Sequence, residues 1–209
     1  MRPIHSVAAL LAVLLAAAPA AAQMRPQPQP QQLPQSRTPG GEVTERLVLT
    51  PPQGWQSGGT GSGPGVITTQ LFPPGQTSEN WTEMLTVQVI GDPRAEHRDH
   101  VQRVVEASRV SCEASGPSPI AEGQTNGFPV ATLTVTCTKG RQSGMGGLLA
   151  VKAIRGTSAL YVIERVWRGP PFERNEAAPV PPGMLQEWAG FMRNVSVCDT
   201  AGTQHPCPK

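Results

Sequence analysis

The sequence predicts one α+β domain: an antiparallel sheet of about six or seven strands with two main helices packed on it. Three observations carry that reading. Within residues 79–90, Leu85, Val87 and Val89 alternate with Thr86 and Gln88, the period of a half-buried strand. Within residues 130–167, three further apolar runs are joined by short connections, the pattern of an antiparallel meander. Two segments, 92–110 and 184–195, place apolar residues at spacings of three and four, the period of a helix with one buried face.

The elements follow in order. Residues 44–50 put Leu47 and Leu49 on one face and end at Pro51-Pro52, because proline cannot donate to a ladder. Residues 58–65 read as a glycine loop. It lacks the Gly-Lys-Ser/Thr ending of a phosphate loop and no helix follows, so nucleotide binding is not expected. Residues 66–72 form a second strand, joined through Pro73-Pro74-Gly75 to the strand at 79–90. Asp92-Pro93 reads as a helix start, an N-cap acceptor followed by proline at the first helical position. That helix buries Val101, Val104, Val105 and Ser108, with Cys112 continuing the face. Arg98, Asp99, Gln102, Arg103 and Glu106 point outward.

After a turn-rich break at 115–119, residues 120–122 allow a short strand, and Asn126-Gly127 marks a tight turn. Strands follow at 130–138, 148–155 and 159–167. In the first, Ala131, Leu133, Val135 and Cys137 share one face. A proline-rich loop at 168–183 leads to the second helix, with its stripe of Met184, Leu185, Trp188, Phe191, Met192 and Val195. The tail from Ser196 holds Cys198 and Cys207.

The chain of 209 residues begins with an address. Residues 1–22 read as a secretory signal: Arg2 supplies the positive start and residues 7–18 an Ala/Leu/Val core too short to span a bilayer comfortably. Ala20-Ala21-Ala22 offers a cleavage site before Gln23, and Ala18-Pro19-Ala20 a second. No cysteine lies near the cut for a lipid anchor, and no later stretch is apolar for long enough to cross a membrane. The alternative is a retained N-terminal anchor. Residues 23–41, rich in proline and glutamine, read as a disordered linker with nothing to bury. The domain then spans 42–209. The expected location is the periplasm or the medium.

Formal charge is +2, and losing Arg2 with the leader leaves +1. That balance gives no electrostatic case for nucleic acid, and the single tyrosine and few phenylalanines offer little for base stacking.

An even count of cysteines in an exported chain favours disulfides. Cys112 extends the buried face of the first helix and Cys137 lies on the face of Leu133 and Val135. A helix packed on that face brings these two thiols together, leaving Cys198 and Cys207 to close the tail. No Cys-x-x-Cys is present for thiol exchange. The rival for the tail is a metal site made of Cys198, Asp199, His205 and Cys207.

Other chemistry is weakly signalled. His97 and His100 are spaced three apart, not the four of a zinc-protease helix, and fit a solvated helix face. There is no Gly-x-Ser-x-Gly, and Ser143 has no assignable base. Glu83 and Glu164 lie in strands, where an inward carboxylate would have a raised pKa. Trp55 and Trp81 sit beside strand ends. Both fit the sealing of a core edge, or alternatively an aromatic-lined groove for a ligand or partner. No cofactor motif is found.

Gly54-Trp55 after the first strand, then Asn80-Trp81-Thr82-Glu83-Met84 ahead of the next, a helix, a meander and a C-terminal amphipathic helix together resemble the PsbP-like fold. The resemblance is closest to uncharacterised secreted proteobacterial proteins sharing the segment Asn80 to Met84 and the closing tail Cys198 to Pro208. It covers roughly Glu42 to Lys209. It implies an α/β sandwich with an accessory or binding role, and it carries no functional residue onto this chain. The expected function is thus an exported, non-enzymatic accessory or interaction protein of the bacterial envelope, whose partner is an envelope protein or a small ligand. The alternatives are a small-ligand or metal-binding protein and a hydrolase with an unrecognised site.

Overall fold

The computed structural model describes residues 44–92 and 94–208; the expected leader (1–22) and linker (23–41) lie outside them. The described residues fall within one compact unit, Gln31–Lys209. In chain order the elements are β1 (Glu45–Val48), β2 (Gln56–Gly63), β3 (Val66–Phe72), β4 (Glu83–Ile90), α1 (His97–Ser111), β5 (Ser115–Pro117), β6 (Ala121–Thr125), β7 (Phe128–Cys137), β8 (Gly146–Arg155), β9 (Leu160–Gly169), α2 (Met184–Asn194) and β10 (Ser196–Asp199).

Eight strands form the main sheet in the order β2-β3-β4-β9-β8-β7-β5, with β6 also paired to β7. All its pairings are antiparallel. The α+β class is as the sequence predicts. The strand count is higher because two segments lack a readable hydrophobic period. β2 was expected to be a glycine loop. Its residues are exposed throughout, so burial leaves no mark on the sequence, yet it pairs along β3 from Gln56↔Phe72 to Gly63↔Val66. Gly58 makes room for a ring there: a Cβ would lie 2.1 Å from an atom of Phe72. β5 is three residues long and pairs with the end of β7. β1 and β10 make a separate two-stranded ribbon, so the first strand does not enter the main sheet.

Alternation sends side chains to two faces, and each face has its own cover. On one, Ala131, Leu133, Val135, Val151, Ala153, Leu160 and Val162 pack with Val101 of α1. On the other, Leu85, Val87, Val89, Tyr161 and Ile163 pack with Val195 and Val197, backed by Leu47, Leu49 and Phe191. Trp188 of α2 packs with Leu148, Ala150 and Trp167 on that same side. Each fully buried aliphatic side chain contributes about 1.5–3 kcal/mol. Leu185, expected in the buried stripe of α2, faces outward.

The sulfurs of Cys112 and Cys137 are joined, as are those of Cys198 and Cys207, the two pairings expected. The first pins the C-terminal end of α1 to the end of β7. At the other end, α1 begins at His97 and not at Asp92. Asp92 instead closes a turn ahead of the helix, its carboxylate accepting from the Arg94 amide (2.9 Å) and its carbonyl from the Ala95 amide (3.0 Å). Asn126 and Gly127 both have positive φ (48° and 78°), the geometry of the predicted two-residue hairpin turn.

Buried charges hold the second face together, Lys152 and Glu45 among them. Lys152 donates through Nζ to the carbonyls of Met192 (2.8 Å) and Val195 (2.6 Å), satisfying groups that the end of α2 leaves open. Burial brings its pKa down to about 8. Glu45 accepts from the Thr157 amide and the Ser158 hydroxyl, closing the turn between β8 and β9.

Candidate binding groove

α1 packs over β5, β7 and β8. Along its C-terminal half, a groove of about 740 Å³ opens between the helix and the sheet. Val104, Ala107, Val110 and Ser111 line it from the helix. Leu149 of β8 and Glu164 and Val166 of β9 line it from the sheet, because these positions share the parity that faces α1. The Cys112–Cys137 bridge, the hairpin loop from Gly140 to Met145, and the pair Trp81 and Arg168 complete the lining.

Two properties set this groove apart from a packing gap. First, two large apolar side chains of its lining are open to water. Val110 is 77% exposed and Met145 38%. With Leu185 at 53%, they are the exposed large hydrophobic side chains of the described residues, and two of these three converge on one site. Large apolar side chains left exposed beside a concavity are a feature of binding surfaces.

Second, the lining carries a carboxylate. Glu164 is half-buried, and its cross-strand neighbours are Thr86 and Val151, neither of them a cation. Among the described residues no hydrogen bond or ion pair reaches its carboxylate, whose oxygens are not among the fully buried unpartnered atoms and so keep access to water through the groove. Burial pushes its pKa up from the ordinary glutamate value. Arg168 lines the same groove but is already engaged. Its guanidinium stacks on Trp81, 4.2 Å from the ring centroid, and donates to the carbonyls of Trp81 and Glu79.

The two tryptophans singled out from the sequence do not share a groove. Trp81 lines this one. Trp55 packs on the opposite face of the sheet, over the guanidinium of Arg165 at 5.0 Å. Trp188 and Phe191 flank the same cation at 5.1 and 5.2 Å. Arg165 is 1% exposed, donates to Glu83 and to Glu187, and shares Glu83 with the indole N–H of Trp188 (3.0 Å). Glu83 is therefore inward, as the sequence allowed, but paired. Arg165 itself was missed. The available signal was parity: it occupies the core-facing position between Ile163 and Trp167.

Asn80 to Met84, the segment behind the family resemblance, ties the turn before β4 to the rest of the sheet. The Asn80 carboxamide oxygen accepts from the Thr77 amide (2.7 Å), Trp81 carries Arg168, the Thr82 amide donates to Gln76 (2.7 Å), and Glu83 holds Arg165.

The remaining candidates lie elsewhere. His97 and His100 are half-buried and not on a solvated face; the imidazole of His97 lies within 3.9 Å of Glu122, and burial lowers the pKa of His100. In the tail, the disulfide occupies both thiols of the supposed metal set, and His205 stacks on Phe128 with Nδ1 2.7 Å from the Asn126 carbonyl. Among the described residues no three metal-ligating side chains converge. Ser143 lies in the groove lining, where its hydroxyl accepts from the Met145 amide (3.2 Å).

No family model matches the sequence, and no curated protein matches it. Among solved structures, the chain is similar to the Saccharomyces cerevisiae Ran-binding protein Mog1p and to a point mutant of the protein Mog1. Each is 14% identical with a TM-score of 0.45, the match covering 75% of this chain and 97% of that one.

Proposed function

We propose that the protein is an exported, non-enzymatic interaction protein of the bacterial cell envelope that binds through the groove beneath α1. The observation that carries this reading is the convergence of Val110 and Met145, exposed and apolar, on a concavity lined by a half-buried carboxylate. Two closed cystines in a chain of this size favour an oxidising compartment. The Ala/Leu-rich leader at 1–22 favours export. No helix of the described residues is long and apolar enough to cross a membrane. Affiliation with the PsbP-like exported proteins rests on Asn80 to Met84 and on the tail Cys198 to Pro208, and belongs to the same proposal.

A second reading, small-ligand binding, draws on the concavity itself and on the single carboxylate in it. Site-specific photo-cross-linking separates the two. A cross-linking side chain placed at position 110 or 145 in the native cell should give a discrete protein adduct, and the same group at position 185, exposed and apolar but on α2, should not. Equal adducts from all three positions, or none from the groove, would contradict the interaction reading. A stoichiometric small molecule retained in native mass spectra would favour the second.

A further inference from the structure

We propose that the occupant of the groove is a partner peptide that inserts a lysine or arginine side chain under the C-terminal half of α1, its charge meeting Glu164 and its stem lying along Leu149 and Val166. This rests on the interaction reading and adds the chemistry of what is bound.

A half-buried carboxylate with no cation near it is costly to ionise, and burial alone holds its pKa up. The sheet provides no partner, since Thr86 and Val151 flank it across the strands. The groove's own arginines do not fill the role. Arg168 is stacked on Trp81 and bonded to two backbone carbonyls, and Arg141 is exposed on the hairpin loop. A cation arriving from outside would therefore gain a charge-assisted contact in a cleft where salt screens weakly. An anion in the same place would face Glu164 unshielded.

Shape then selects among cations. The walls beside Glu164 are aliphatic, which suits the methylene stem of a lysine or arginine. The exposed side chains of Val110 and Met145 lie on the same lining, and a lone amine would leave them uncovered. A peptide with apolar residues beside its cation covers both.

The test uses the full chain and fluorescein-labelled hexapeptides of leucine and alanine carrying one central lysine, norleucine or glutamate, with binding read by fluorescence anisotropy. The lysine peptide is expected to bind about tenfold more tightly than the other two, the increment of one hydrogen bond to a charged group. Glu164→Gln should bring the lysine-to-norleucine ratio to about one, and its melting temperature, measured in parallel, should not fall. Equal affinities for the three peptides, preference for glutamate, or a lysine preference that survives Glu164→Gln would overturn the proposal. So would tighter lysine-peptide binding on deletion of residues 23–41, which would assign the groove to the chain's own N-terminal linker. Self-association abolished by Val110→Glu would likewise overturn it, assigning the groove to a second copy. If the lysine preference is absent while the cross-link from position 110 forms, this proposal falls and the interaction reading stands; if the cross-link is absent, the interaction reading falls.

Discussion

Replacing Arg165 by methionine tests whether the face opposite the groove is held by a buried ion pair. Methionine keeps most of the apolar stem between Trp55, Trp188 and Phe191 but removes the guanidinium. Glu83, whose side chain is 16% exposed, then loses its cation and, among the described residues, keeps only the Trp188 indole N–H. Breaking one partner of a buried pair costs about 3–5 kcal/mol, because the other charge stays desolvated. Glu187 is 53% exposed, so its share is small, about 0–1 kcal/mol. Arg165→Met should therefore lower stability by about 3–5 kcal/mol, which for a domain of this size is a fall in Tm of roughly 6–20 °C. Glu83→Gln removes the other charge and still offers an acceptor to Trp188. The double variant should cost at least about 1 kcal/mol less than the two single costs added together. Urea denaturation followed by tryptophan fluorescence measures all three, since Trp55 and Trp188 report from the site. A loss below about 1 kcal/mol for Arg165→Met, or strict additivity in the double variant, would refute this account of the buried charges.

Three further outcomes follow from the same structure. Glu164 has a folded pKa above its unfolded value, so the folded state binds more protons and stability falls as pH rises through that window. Glu164→Gln should be more stable than the parent at pH 7, with the advantage gone below the ordinary glutamate pKa, measured by thermal melts across pH. Lys152 shows the mirror case. Its pKa is down at about 8, so between there and its unfolded value near 10.5 the unfolded state binds more protons, and stability rises with pH. That gain should be missing from the pH profile of Lys152→Met. Finally, Cys112→Ser with Cys137→Ser should cost about 3 kcal/mol, from the 25-residue separation that the bridge closes. It should also raise amide exchange at the C-terminal end of α1 more than elsewhere in the helix.

How much could be read from the chain depends on where burial leaves a period. Leu85, Val87 and Val89, and likewise Ala131, Leu133, Val135 and Cys137, alternate because each strand has one covered face, and that parity sufficed to bring Cys112 and Cys137 together. β2 hides because an exposed edge of glycines has no covered side to betray it. β10 hides because four residues of a tail are too few to show a period, and its pairing with β1 joins residues far apart in sequence. The groove was legible only in fragments. Trp81 and Glu164 stood out as residues, but Val110 and Met145 carry no signal in the sequence, and only the packing of α1 beside the hairpin loop at 140–145 brings them to one groove. Trp55 and Trp81 looked alike because both flank strand ends; the two faces of the sheet separate them.

Central to the proposed function is binding beneath the C-terminal half of α1. Methyl NMR spectra, recorded as the protein is titrated with the partner recovered from the position-110 cross-link, address it most directly. The account predicts shifts at Val104, Val110, Met145 and Val166, with Leu47 and Leu185 unmoved. Shifts confined to Leu47 and Leu185, with the groove methyls silent, would contradict it.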